Sequence, residues 1–166
     1  MNKERNKQII EANDTHFMLQ AIEEAYKARK AKEVPIGAVI VKDGKIIARG
    51  FNKCILSSDP TAHAENVALR KAAKKLMNYR LNNCSIYVTV EPCVMCVGAL
   101  INARIEKIIF GAFDKKIGAC RNVYKAAICG RFNHKIEIKG GEEEYLSAEC
   151  ANIIEEFFKK KRIGKQ

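Results

Sequence analysis

The stretch from Cys84 to Phe110, CSIYVTVEPCVMCVGALINARIEKIIF, decides the reading of the fold. Cys84 to Val90 alternates, with Ile86, Val88 and Val90 on one face, which is the period of a half-buried strand. A helix is expected from about Pro92 to Ala103, followed by a second strand from Ile105 to Phe110. Strand, helix and strand with short links predict a right-handed βαβ crossover and therefore a parallel pair of strands.

On the amino-terminal side, Ile36 to Val41 and Ile46 to Gly50 are β-rich runs either side of Lys42-Asp43-Gly44-Lys45, a strong hairpin signal. Before them, Met18, Ile22 and Ala25 fall at helical spacing, in a helix that starts near Asp14 or Thr15 and ends before Pro35. Residues 1–13 are polar without a sustained period and read as a flexible extension ahead of a domain over 14–166. Asn52 to Ser58 reads as a loop. Asp59-Pro60 then offers a cap and a first-turn proline for a helix running to about Met77. Beyond Phe110, residues 111–131 read as a loop around a short helix and Lys135 to Lys139 as a short strand. A last helix over 142–162 carries Leu146, Ile153 and Phe157 at helical spacing. The expected fold is one α/β domain, a mixed five-stranded sheet between helices.

Composition narrows the function. The chain has 166 residues, 48% hydrophobic and 30% charged, which suits a single globular domain with a core and excludes wholesale disorder. The longest apolar stretch, Cys93 to Ile101, is far short of the ~20 residues of a spanning helix. No apolar segment follows Met1 to Lys7, so no secretory signal is expected. Lys plus Arg number 30 against 19 Asp plus Glu, a net charge of +11 that suits a polyanionic partner, nucleic acid first. Seven cysteines, an odd count without secretory features, point to a reducing cytoplasm where clustered thiols are ligands or nucleophiles.

Two short motifs carry chemistry, His63-Ala64-Glu65 and Pro92-Cys93-Val94-Met95-Cys96. Cys93 and Cys96 are three apart at a helix start, so both sulfurs face one side, and the helix amino terminus favours their thiolates. Two thiolates and an imidazole suit zinc, and three protein ligands leave the fourth tetrahedral position open for a water of lowered pKa. Glu65, two residues past His63, can reach that position without ligating and move a proton between water and a substrate nitrogen. Alone, a CxxC is often structural or redox-active, and a lone histidine near a helix start is usually unremarkable. The pairing of the two points to catalysis.

That pairing is the known H-x-E…P-C-x-x-C signature of zinc nucleobase deaminases. The likeness extends to Glu33-Val-Pro-Ile-Gly-Ala-Val39, Asn52, Asp59-Pro-Thr-Ala-His-Ala-Glu65, Asn78-Tyr-Arg-Leu81 and Tyr87-Val-Thr-Val-Glu-Pro-Cys-Val-Met-Cys-Val-Gly-Ala99. It continues in Ile109-Phe-Gly-Ala112, Asp114, Asn133-His134, Glu149-Cys150 and Phe157-Phe158, so that from about Thr15 to Arg162 the chain resembles bacterial tRNA-specific adenosine deaminases. The resemblance implies a cytidine-deaminase-like three-layer α/β/α sandwich and a cytoplasmic homodimer with one zinc per subunit. It implies a hydrolase that edits the wobble adenosine of a tRNA anticodon, typically of an arginine tRNA, to inosine. By position, His63, Cys93 and Cys96 would hold zinc and Glu65 would shuttle protons. Asn52 would bond the flipped base, while Asn133 and the Phe157-Phe158 end of the last helix, Phe158 above all, would contact the anticodon loop.

Plainer roles exist for several of these residues. Asn52 can bond its own loop backbone; Phe157, with Ile153 as helical partner, fits the core better than RNA; and Lys159 to Arg162 with Lys165 can be a solvated helix end. His134 can be structural, and His16 has no catalytic reading. Cys54, Cys84, Cys120, Cys129 and Cys150 lack ligand spacing. The chain departs from the family pattern at Cys120 to Lys125, where a Gly-Ser pair is usual, and at Phe113, where a polar residue is usual. Both lie in the segment expected to border RNA. Two other functions compete: deamination of a free base or nucleoside such as guanine or cytosine, and a non-enzymatic RNA-binding module with structural zinc. The latter needs a fourth ligand that no Cys or His supplies by spacing.

Overall fold

A computed structural model describes residues 2–121, 133–141 and 146–163, with side chains from Asn13 onward. At Asp43-Gly44 both turn residues take positive φ, 48° and 70°, so the chain reverses in two residues and Lys42 pairs with Lys45. The hairpin joins β1 (Gly37–Lys42) to β2 (Lys45–Phe51). β1 also runs antiparallel to β3 (Cys84–Val90), which pairs in parallel with β4 (Lys107–Ala112), and β4 pairs in parallel with β5 (Glu137–Gly140). The result is a mixed five-stranded sheet in the order β2-β1-β3-β4-β5.

Alternation along the strands sorts two cores. Ala38, Ile40, Ile86, Val88, Ile108 and Phe110 face α3 (Ala64–Leu76) and α4 (Val94–Asn102), which bring Ala68, Leu69, Val97 and Leu100. Val39, Val41, Tyr87 and Ile109 face the other way, towards Phe17, Met18, Ala21 and Ile22 of α1 (Asn2–Lys30) and Cys150 and Ile153 of α5 (Ser147–Ile163). Two helical layers thus close a three-layer α/β/α sandwich. α3 approaches β2 closely: a Cβ on Gly50 would lie 2.3 Å from the Ala64 carbonyl oxygen and 2.6 Å from the Ala68 nitrogen.

The structure corrects several expected helix starts. Helical backbone extends back to Asn2 in place of a start near Asp14; residues 2–13 contain no Gly or Pro to break it, and half of them are Lys, Arg, Glu or Gln. Asp14 does not cap; it is buried and accepts a hydrogen bond from the Tyr87 hydroxyl at 2.5 Å. Asp59-Pro60 does not open α3 either. Asp59 Oδ1 accepts from the Thr61 N–H (2.8 Å) and hydroxyl (2.7 Å), folding the stretch into a turn that delays the helix to Ala64. A four-residue helix, α2 (Cys54–Ser57), stands within the expected Asn52 to Ser58 loop. β4 and β5 each begin two residues later than expected, and α4 is shorter than expected at both ends. Residues 111–121 hold no helix; the rest of the 111–131 segment in which a short one was expected, Asn122 to Lys125 and Cys129 included, lies outside the described residues, as do 142–145 and Lys165. Leu146 takes a positive φ of 54°, so α5 begins at Ser147 and does not run through Leu146 as expected.

Candidate metal centre and catalytic site

Two helix starts meet beside the carboxyl end of β3. His63 is the N-cap of α3 and Cys93 the N-cap of α4; both have extended backbones, and neither side chain caps its helix. The side chains are therefore left for another partner. Cys93 Sγ and Cys96 Sγ are 3.7 Å apart, and His63 Nδ1 lies 3.6 Å from the first and 3.5 Å from the second. A tetrahedral zinc with ordinary bond lengths separates two sulfurs by about 3.8 Å and a sulfur from a nitrogen by about 3.6 Å. The donor set therefore fits zinc in both chemistry and spacing. Among the described residues this is the one His/Cys/Asp/Glu cluster arranged to hold a metal.

The electrostatics agree. The Cys93–Cys96 hydrogen bond, with His63 beside it, holds the Cys93 thiol down to about 4. That same bond, with burial, pushes Cys96 up, and Cys93 raises His63. Glu65, on the first turn of α3, is 3% exposed, and its Oε2 is the buried side-chain oxygen without a hydrogen-bond partner among the described residues. Burial pushes its carboxyl up to about 7. A buried carboxyl of this affinity, with one oxygen left without a partner beside a metal site, is suited to taking up and returning a proton near neutrality.

The surrounding backbone is fixed by buried polar groups. Asn52 Oδ1 accepts from the Ala64 N–H at 2.8 Å, so Asn52 holds the start of α3 and, with it, His63 and Glu65. Glu33, 2% exposed, accepts from the Leu56 N–H at 2.7 Å and anchors α2. Burial, together with the charges of Glu33 and Asp59, raises the Cys54 thiol, and burial keeps the Cys120 thiol up, so both stay protonated. Sequence reasoning assigned nothing to Glu91, whose buried carboxylate accepts three backbone N–H groups, from Asp114, Cys120 and Arg121. A carboxylate directly after the largely buried strand β3 was the available signal.

His63, Glu65, Cys93, Cys96 and Asn52 are thus brought together; Asn133 and Phe158 are not. The Asn133 carbonyl accepts from Arg104 at 3.0 Å, and His134 Nε2 lies 2.6 Å from the Ile105 carbonyl, both at the amino ends of β4 and β5. The metal centre is at the other end of the sheet, a strand length of roughly 15–20 Å away. Phe158 is on α5, in the layer opposite α3 and α4, and is 43% exposed, whereas Phe157 is buried. An ion pair of 3.1 Å between Arg29 and Glu156 joins that part of α5 to the end of α1. Phe113 is exposed, with its ring edge against Phe110. Among the described residues no helix is long and apolar enough to cross a membrane.

A His-Cys-Cys centre beside a buried glutamate, on this sandwich, defines a zinc-type deaminase site, and the profile of the MafB19-like deaminase family matches residues 12–162. More narrowly, the chain belongs to the family of tRNA-specific adenosine deaminases. It is 44% identical over 154 residues to the tRNA-specific adenosine deaminase of Haemophilus influenzae, covering 92% of this chain and 87% of that protein. With the Buchnera aphidicola relative of the same name it shares 43% over 151 residues, 90% and 97% of the two chains. A structure solved in work on A-to-I editing by tRNA deaminases at the wobble position of transfer RNA superposes with a TM-score of 0.79 at 40% identity, covering 84% of this chain and 99% of that one. A Bacillus subtilis guanine deaminase superposes less closely, at 0.57 and 43% identity over 68% of this chain and 66% of that one.

Proposed function

We propose that the protein hydrolyses the wobble adenosine of a tRNA anticodon to inosine, with one zinc per subunit held by His63, Cys93 and Cys96. The observation that carries this reading is the unpaired Glu65 oxygen beside three donors at zinc spacing. When bound, the zinc supplies the Lewis acidity that makes water a nucleophile at neutral pH. Glu65 accepts the first proton of the attacking water and passes it to the ring nitrogen next to the amine-bearing carbon; it then takes the second proton from the added hydroxyl and hands it to the departing amine. Water becomes the new carbonyl oxygen and ammonia leaves. Asn52, already holding Ala64, keeps Glu65 in place and offers its amide nitrogen to the base.

An anticodon loop presents its base unpaired, so unstacking costs only a few kcal/mol. The net charge of +11 supplies phosphate affinity. Phe158, exposed on α5 next to Lys159 to Arg162, stacks on a loop base, and Asn133 contacts the RNA away from the metal. We assign the substrate to an arginine tRNA, the assembly to a homodimer, the location to the cytoplasm and the catalytic domain to 14–166, with 1–13 as an extension outside it. The family resemblance supports these assignments. The test incubates zinc-loaded protein with an anticodon stem-loop bearing wobble adenosine, beside free guanine and cytidine. Inosine in the stem-loop is the expected product; ammonia from a free base without inosine would transfer the assignment to a free-base deaminase.

A further inference from the structure

Glu91 lies two residues before the metal donor Cys93 and is 3% exposed. Its Oε1 accepts the Cys120 N–H at 3.1 Å and the Arg121 N–H at 2.7 Å, and its Oε2 the Asp114 N–H at 3.3 Å. The segment so gathered also pairs with the donor turn itself: Gly118 bridges to Cys93, and the Ala119 N–H donates to the Pro92 carbonyl at 2.9 Å. Gly118 is required by this approach, since a Cβ there would lie 2.2 Å from Glu91 Oε2. The Glu91 N–H in turn donates to the Ala112 carbonyl at the end of β4. The buried carboxylate of Glu91, at the end of β3, therefore holds the segment 114–121, and that segment in turn pairs by its backbone with the turn that presents Cys93.

We propose that Glu91 is a positioning residue for deamination: its carboxylate clamps segment 114–121 against the Cys93 turn and so sets the geometry of the metal donor. Charge-assisted bonds to backbone N–H groups are roughly twice as strong as neutral ones, which suits a carboxylate over an amide here. The proposal rests on the deaminase reading above. In Glu91→Gln an amide nitrogen replaces one acceptor oxygen, and a second donor then opposes a backbone N–H.

The experiment compares full-length parent and E91Q, each loaded with zinc for turnover of the stem-loop and with cobalt(II) for visible absorption. For E91Q, kcat per bound zinc falls about 10-fold or more, as small misplacements at a reacting centre do. KM stays within about 3-fold, marking a loss beyond substrate binding. The cobalt d–d bands shift while thermal unfolding stays above the assay temperature. Equal kcat per bound metal and superimposable cobalt spectra overturn the proposal. Should E91Q not fold, Gly118→Ala, which crowds the same carboxylate from the other side, is expected to show the same signature. If neither variant folds, Glu91 is a folding element and the positioning role is refuted. Parent protein that makes no inosine refutes the deaminase reading instead, and the cobalt spectra still decide whether Glu91 positions Cys93.

Discussion

Replacing Glu65 by Gln separates the stability of the protein from its activity. Burial moves this carboxyl from 4.5 to about 7, so its ionised form is held against a preference for the neutral one. At 1.36 kcal/mol for each tenfold change in proton affinity, ionising Glu65 in the folded protein costs about 3 kcal/mol. A folded-state value above the unfolded one means that the stabilisation is complete below pH 4.5 and lost as pH rises through 7. Gln places a polar atom in the same unpaired position without the charge, and escapes this loss. In the presence of a chelator, E65Q should therefore match the parent near pH 4 and exceed it by about 3 kcal/mol at pH 8. For a chain of this size that is a rise of about 6–12 °C in Tm. Thermal unfolding across that pH range is the assay, with turnover measured in parallel on zinc-loaded protein, where a loss of about 10²–10⁴-fold is expected. A parent and variant equally stable at pH 8, or a gap that persists unchanged at pH 4, would refute the assignment of Glu65 as a buried, destabilised proton carrier.

Gly50→Ala should cost about 1–3 kcal/mol, because its Cβ would press on the backbone of α3; metal affinity should fall with it, since the displaced helix start carries His63. Gly98→Ala, with nothing within 4 Å of its Cβ, is the control and should be neutral or stabilising by up to about 1 kcal/mol, both read from urea midpoints. Cys150 is pushed up to about 12 by burial, so its contribution is intact below pH 9 and is lost as pH climbs through 12. Between pH 9 and about 10.5 the parent should lose about 2 kcal/mol that Cys150→Ala keeps, and parallel urea titrations with identical pH slopes would contradict this. Turnover on the stem-loop should fall steeply between about 50 and 200 mM salt, whereas a reaction on a free neutral base would be nearly flat.

Much of the site was legible because its chemistry is local. Cys93 and Cys96 are placed on one face by helical spacing, and Glu65 follows His63 by two residues, so each half of the centre is written in a short motif. Distances between distant pieces of chain carry no such mark. Glu91 escaped notice because its three partners are backbone groups 23–30 residues away, and backbone donors have no identity in a sequence. Asn133 was assigned to the anticodon loop by resemblance, and only the tertiary structure places it before β5, at the end of the sheet away from Cys93. Asp59 and Asp14 were both read as caps. Each instead spends its carboxylate on a hydroxyl, Thr61 for one and Tyr87 for the other, and the second of these is 73 residues away.

By itself the sequence determined the period of each strand, the hairpin at Asp43-Gly44, the apolar stripe of α1 and the donor types of the metal centre, since all of these depend on neighbours within a few residues. Tertiary structure alone decided that the starts of α3 and α4 converge to 3.5–3.7 Å between donor atoms, and that Glu65 is left with an unpaired oxygen. Proton affinity and metal fit depend on burial and on the distance between groups, and both come into being only when the layers pack.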